Sequence, residues 1–240
     1  IEIELERRRF GGVVRLEINS EVSHRILLEL RRGLNLEEEK VYPVEGMLDL
    51  ADLSEIAKLD FPDLHYKKWA PVTQRRLAFS KGSDLFAEIR NRDIFVHHPY
   101  DSFESSVAAF IRRASADVST IGIKATVYRT DDDSPIVPAL IEAAERGKQS
   151  VCLVELKARF NEEQNIEHSR ALERAGVHVS FGLPNMKIHA KTVLVVRREG
   201  DVLRRYAHIG TGNYHDGTAR LYEDIGLFTA DEEITSDIAD

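Results

Sequence analysis

Cysteine is almost absent: Cys152 is the single example in 240 residues. One thiol cannot close a disulfide within one chain. Its setting in the apolar run Val151-Cys152-Leu153-Val154 predicts a buried, inert side chain, which fits a reducing compartment. Long apolar runs are lacking as well; none approaches the ~20 residues that cross a bilayer. Positive charge is in deficit, with 33 Lys and Arg against 41 Asp and Glu and a net charge of −8. Nothing global therefore attracts a polyanion, and any anion site must be local. There is no internal repeat and no low-complexity segment. What is present, 42% hydrophobic and 31% charged residues, describes a soluble globular chain. No secretory leader is visible, the first residue is Ile1 rather than Met, and the last residues read as the start of a helix. Both ends suggest a piece of a longer protein.

The first part of the chain mixes short strands and helices. Ile1, Ile3 and Leu5 alternate with glutamates, and Val14, Leu16 and Ile18 repeat the pattern after Gly11-Gly12, which predicts a hairpin. Ser23 is a candidate cap for a helix that ends near Gly33. Val41 to Val44 reads as a strand, and Leu50, Leu53 and Ile56 mark a short amphipathic helix. An irregular stretch with Pro62, Tyr66, Trp69 and Pro71 leads to a domain boundary near residues 80–83. Tyr66 and Trp69 read as packing residues, and Arg7-Arg8-Arg9 and Glu37-Glu38-Glu39 as solvated faces.

Beyond that boundary, strands alternate with helical patterns. Strands are expected at 94–96, 118–128, 151–156, 177–181, 188–196, 206–209 and 225–228. Between them, Ser134-Pro135 opens one helix that Gly147 closes, and another runs from Glu162 to Ala175. The alternation implies βαβ units and a mixed, largely parallel sheet with flanking helices, preceded by a smaller α+β domain: residues 1–82, then 83–240.

The chemistry gathers where strands end. On a strand, Lys187, His189 and Lys191 would share one face, because side chains alternate. Two readings are open for them: an anionic ligand held between cations, or a solvated strand end. Lys124 and Arg129 lie on or after the strand that carries Tyr128, and Glu155, Lys157 and Arg159 follow the next one. His208 precedes Gly210-Thr211-Gly212-Asn213, whose glycines would let backbone N–H groups approach an anion. His208 either supports phosphate there or is a satisfied histidine of the sheet; the first is expected. His97 and His98 point to opposite faces of a strand and would bind one metal ion poorly, so a structural role is expected for them.

The order of these pieces resembles the polyphosphate kinase family, whose C-terminal domains are phospholipase-D-like. The resemblance runs through His97-His98-Pro99-Tyr100-Asp101-Ser102-Phe103, Ile123-Lys124-Ala125-Thr126-Val127-Tyr128-Arg129 and Val154-Glu155-Leu156-Lys157-Ala158-Arg159-Phe160. It continues through Lys187-Ile188-His189-Ala190-Lys191, the stretch from Tyr206 to Asn213, and Thr218-Ala219-Arg220-Leu221-Tyr222. It implies a phospholipase-D-like catalytic domain at 83–240, with part of the family's middle domain at 1–82. It implies ATP and inorganic polyphosphate as substrates, with phosphate carried on His189 as a phosphohistidine and Lys191 and His208 beside it. It further implies Arg129 and Arg159 on phosphates near Mg²⁺, Tyr222 beside the ATP base, a homo-oligomeric full-length protein with no nucleic-acid partner, and a cytoplasmic location or a peripheral one at the inner membrane face. The sequence departs from the phospholipase D pattern His-x-Lys-x4-Asp at one point: Val196 stands where that pattern has aspartate. The family's N-terminal domain and second phospholipase-D-like domain, with its own histidine, have no counterpart in these 240 residues. A phospholipase-D-like phosphodiesterase or nuclease, and a non-catalytic polyanion-binding module, are the alternative readings.

Overall fold

The computed structural model describes residues 11–78, 84–128, 134–155, 162–182 and 186–240. The chain divides into two compact units, Ile1–Lys68 and Trp69–Asp240. Among the described residues no helix is long and apolar enough to cross a membrane.

In the first unit, β1 (Leu16–Asn19) pairs in parallel with β2 (Val41–Val44), Leu16 opposite Val41. Parallel neighbours need a crossover, which α1 (His24–Leu34) supplies. The hydroxyl oxygen of Ser23 accepts from the Ile26 amide at 3.4 Å, so the expected cap is in place. The helix ends one residue past Gly33, and Asn35 takes the left-handed turn at φ 50°. The first strand of the expected hairpin lies outside the described residues. The apolar stripe of Leu50, Leu53 and Ile56 is wound as successive tight turns over Leu50–Lys58, opened by the Asp49 carboxylate, and it buries no residue.

The second unit is built on one seven-stranded sheet. In chain order it contains α2 (Leu85–Asn91), β3 (Ile94–His98), α3 (Ala109–Ala116), β4 (Thr120–Val127) and α4 (Ile136–Glu145). Then come β5 (Gln149–Val154), α5 (Glu162–Arg174), β6 (His178–Ser180), β7 (Lys191–Glu199) and β8 (Val202–Gly210). It closes with α6 (Asp216–Ala219), β9 (Asp224–Thr229) and α7 (Glu232–Ala239). The strand order is β3-β9-β8-β7-β4-β5-β6. The mixed sheet and flanking helices are as expected, but the pairing is not largely parallel. Five strands run one way and β7 and β9 run against them, so β4–β5 and β5–β6 are parallel pairs and the other four are antiparallel. The reason is local. After β6 no helix intervenes between β7 and β8; they join through a tight turn at Gly200 (φ 63°) and Asp201, which forces a hairpin.

One sheet face carries the core. Val96, Ile123, Ala125, Cys152, Val193, Val195, Tyr206 and Phe228 pack against Phe86, Ile89, Phe110, Ile111 and Leu140 from the helices. Cys152 lies inside it, fully buried, and burial pushes its thiol up to about 12, the inert state expected of it. On the opposite face α7 packs on β7 and β8, and the Lys124 ammonium donates to the Ala239 carbonyl at 2.9 Å. Lys124 is therefore spent on that helix rather than on a strand-end site.

Candidate functional site

Strand β7 begins at Lys191, three residues later than the alternation suggests, so Lys187 and His189 belong to the segment that leads into it. Strand alternation does not bring the three groups together; Tyr128, the residue after β4, does. Its ring meets the His189 ring edge to face, with centroids 4.9 Å apart. The Lys191 ammonium lies 5.0 Å from the Tyr128 ring centre, and the Lys187 ammonium donates to the Tyr128 hydroxyl at 3.5 Å. Lys191 also donates to the His189 carbonyl at 2.6 Å.

A buried polar clamp fixes this arrangement from below. The Asn165 amide, fully buried on α5, donates to the carbonyls of Tyr128 at 3.1 Å and Glu155 at 2.8 Å. The carboxylate of Glu155, also buried, accepts from the Ile188 amide at 2.8 Å. The Thr126 hydroxyl donates to the Ala190 carbonyl at 2.7 Å and accepts from the Thr192 amide at 3.0 Å. The ends of β4 and β5 and the approach to β7 are thus tied together by buried and half-buried hydrogen bonds, which are stronger there than in water.

His189 and Lys191 line one side of a cavity of about 260 Å³, and Thr211, Gly212, Asn213, Thr218, Tyr222 and Asp224 complete its lining. The Gly-Thr-Gly-Asn turn is there because of Asp224. The Thr211 hydroxyl donates to the Asp224 carboxylate at 2.8 Å and accepts from the Ile225 amide at 3.0 Å. A Cβ at Gly212 would stand 2.6 Å from the same carboxylate, so only glycine lets the turn lie against it. Burial lowers the pKa of Lys191, and the Asp224 carboxylate pulls the other way.

His189 is exposed and faces the cavity; Lys191 is buried beside it. Tyr222 lines the cavity while remaining 64% exposed. His208 does not line it. It points into the core from β8, where its Nδ1 lies 2.9 Å from the Tyr214 hydroxyl and its ring lies against Phe228. Burial, with His98 nearby, brings its pKa down to about 3, so it is a neutral histidine of the sheet, but not the satisfied one expected: its buried Nε2 has no hydrogen-bond partner among the described residues. His97 and His98 point to opposite sides as expected: His97 reaches the Glu223 carboxylate at 2.9 Å, while His98 is buried with Nδ1 on the Asp101 carbonyl at 2.8 Å. Val196 lies on β7 opposite Arg205 and Gly122, on the other face from Lys191. Arg129, Lys157 and Arg159 lie outside the described residues. Sequence reasoning overlooked Asp224, Asn165 and the role of Tyr128. A carboxylate two residues beyond Tyr222 was a usable signal for the first; nothing local signals the other two.

The family model of the polyphosphate kinase C-terminal domain 1 matches residues 84–240, and that of the polyphosphate kinase middle domain matches residues 1–56. The chain belongs to the polyphosphate kinase family. A polyphosphate kinase of Streptomyces coelicolor is 52% identical over 243 residues, covering 100% of this chain and 33% of that protein. One from Mycobacterium avium is 54% identical over 241 residues, with the same coverage of 100% and 33%. The crystal structure of polyphosphate kinase from Porphyromonas gingivalis superposes on 94% of this chain, and on 34% of its own, with a TM-score of 0.74 at 27% identity. The chain therefore spans about a third of the length of the polyphosphate kinases it matches.

Proposed function

We propose that this chain carries the phosphate-transfer centre of an ATP–polyphosphate phosphotransferase. The observation that carries the reading is the cavity bounded by His189 and Lys191 on one side and the Thr211–Asn213 turn on the other, in a chain of this family. His189 is the nucleophile: a ring nitrogen attacks the terminal phosphorus of ATP, the bond from that phosphorus to the β–γ bridging oxygen breaks, and ADP leaves with the electron pair. A terminal oxygen of polyphosphate then attacks the same phosphorus, the P–N bond breaks, and the chain is one phosphate longer; the reverse sequence returns ATP. Lys191 and Lys187 meet the charge spread over the equatorial oxygens, and Arg129 and Arg159 are assigned the same task with their planar forks. Tyr222 is assigned to the ATP base, and His208 to a packed position behind the cavity wall. Residues 1–82 are read as part of the middle domain and 83–240 as the first catalytic domain.

Among the described residues no group of three or more His, Cys, Asp or Glu could hold a metal ion, and Asp224 is the carboxylate lining the cavity. These side chains do not make a magnesium cage. Mg²⁺ is accordingly read as part of the substrate, held by the phosphates of MgATP.

The test uses the full-length protein and γ-labelled MgATP. Label is expected on His189, stable in alkali and lost in acid as an N–P bond requires. In a folded His189→Gln variant, whose amide has no nucleophilic ring nitrogen, both label and polyphosphate synthesis are expected to vanish. A His189→Gln protein that makes polyphosphate at the normal rate refutes the assignment.

A further inference from the structure

We infer that Tyr128 is a positioning residue for His189, its aromatic ring holding the imidazole at one angle; this rests on the phosphohistidine reading above. A nucleophilic imidazole needs its ring held at one angle to the phosphorus. Among the described residues, the aromatic ring against His189 is that of Tyr128, nearly perpendicular at 79°. The same ring serves the two lysines. The Lys191 and Lys187 ammonium groups lie over it, 5.0 and 5.7 Å from its centre, within the range where an ammonium is drawn to the face of the ring. One side chain thereby sets the spacing of the nucleophile and of both cations that would meet the phosphate.

The backbone that carries the ring is itself tied down. The backbone of Tyr128 is tied by Asn165 to Glu155, and Glu155 holds the Ile188 amide, the residue before His189. Tyr128 and His189 are thus two ends of one hydrogen-bonded loop of residues, closed by their ring contact. Loss of the ring should free the imidazole and scatter the ammonium groups while leaving the clamp below intact. The predicted signature is a slower chemical step with little change in ATP binding, since misplacement of a reacting group by about 1 Å costs as much as two decades in rate.

The experiment is single-turnover labelling of the full-length protein with γ-labelled MgATP, with ATP affinity measured in parallel. Tyr128→Leu should slow His189 labelling by roughly 10- to 100-fold with ATP affinity changed less than about threefold. Tyr128→Phe, which keeps the ring and loses the hydroxyl contact to Lys187, should recover most of that loss. If Tyr128→Leu does not fold, Tyr128→Met makes the same comparison with an unbranched side chain. A folded Leu or Met variant that labels His189 at the wild-type rate overturns the inference while leaving the phosphohistidine reading intact. A Phe variant as slow as the Leu variant overturns it too, by moving the effect to the hydroxyl. Wild-type protein that never labels His189 overturns the underlying reading and this inference with it.

Discussion

Two histidines nineteen residues apart end in opposite states because of where their backbones put them. His189, in the segment before β7, is exposed at a cavity; His208, within β8, is sealed in the core with Phe228 and Tyr214 against it. Burial penalises the imidazolium of His208 and brings its pKa from 6.5 to about 3. Between those values the unfolded chain binds a proton that the folded chain refuses, so stability rises with pH across the window. The contribution is complete above about 6.5 and is lost as pH falls toward 3, with a slope of at most about 1.4 kcal/mol per pH unit. His208→Gln removes this titration while keeping a polar group for Tyr214. In urea unfolding the variant should be less stable than wild type at pH 7, and the gap should close progressively toward pH 4. A gap that stays constant with pH would mean that His208 does not titrate in this way. The residue type alone could not tell these states apart; the sequence left His208 open between site and sheet, and only its pairing with Phe228 on β9 turns it inward.

At the scale of elements, the site is a meeting of strand ends, and α5 holds them together. Its Asn165 is a polar residue with no exposed surface, tolerated because both amide protons are used, on the Tyr128 and Glu155 carbonyls. Asn165→Leu keeps the volume and leaves two buried carbonyls without that donor. A cost of roughly 1–3 kcal/mol per group is expected, read as a lowered denaturant midpoint at constant m-value. A variant as stable as wild type would show that water replaces the amide. Neither this clamp nor the Tyr128 contact was legible beforehand, because they join residues 10 to 61 positions apart and leave no periodic trace. What did leave a trace was read well: Ser23 and Ser134 at helix starts, Gly147 at a helix end, and the apolar runs that became β5 and β7. The sheet's sense was misread from β7 onward, where the pairs are antiparallel. The turn at Gly200-Asp201 is a hairpin signal, and without it the later strands read as more βαβ units.

At the scale of the whole chain, the family was legible because its residues recur at strand ends in a fixed order, while stability across the chain was not, because it depends on how much surface each unit hides. In the first unit the buried hydrophobic residues among those described are Ile18 and Leu36, and α1 has none. In the second, thirty of the described side chains, from Leu77 to Phe228, form one continuous core. Local opening is resisted by buried apolar contact, so amides in α1 should open at far lower cost than those of the central strands β4, β7 and β8. Each 1.4 kcal/mol of difference is a factor of about ten in exchange. Hydrogen exchange of the 240-residue chain should therefore show α1 amides exchanging at least about a thousandfold faster than those of Val193, Val195 and Ala125. The cavity residues should divide between these limits: Lys191, at the start of β7, with the protected strands, and the segment 186–190 with the faster amides, apart from Ile188, whose amide is held by the buried Glu155 carboxylate. Equal protection in α1 and β7 would mean that the first unit draws its stability from something other than its own buried surface.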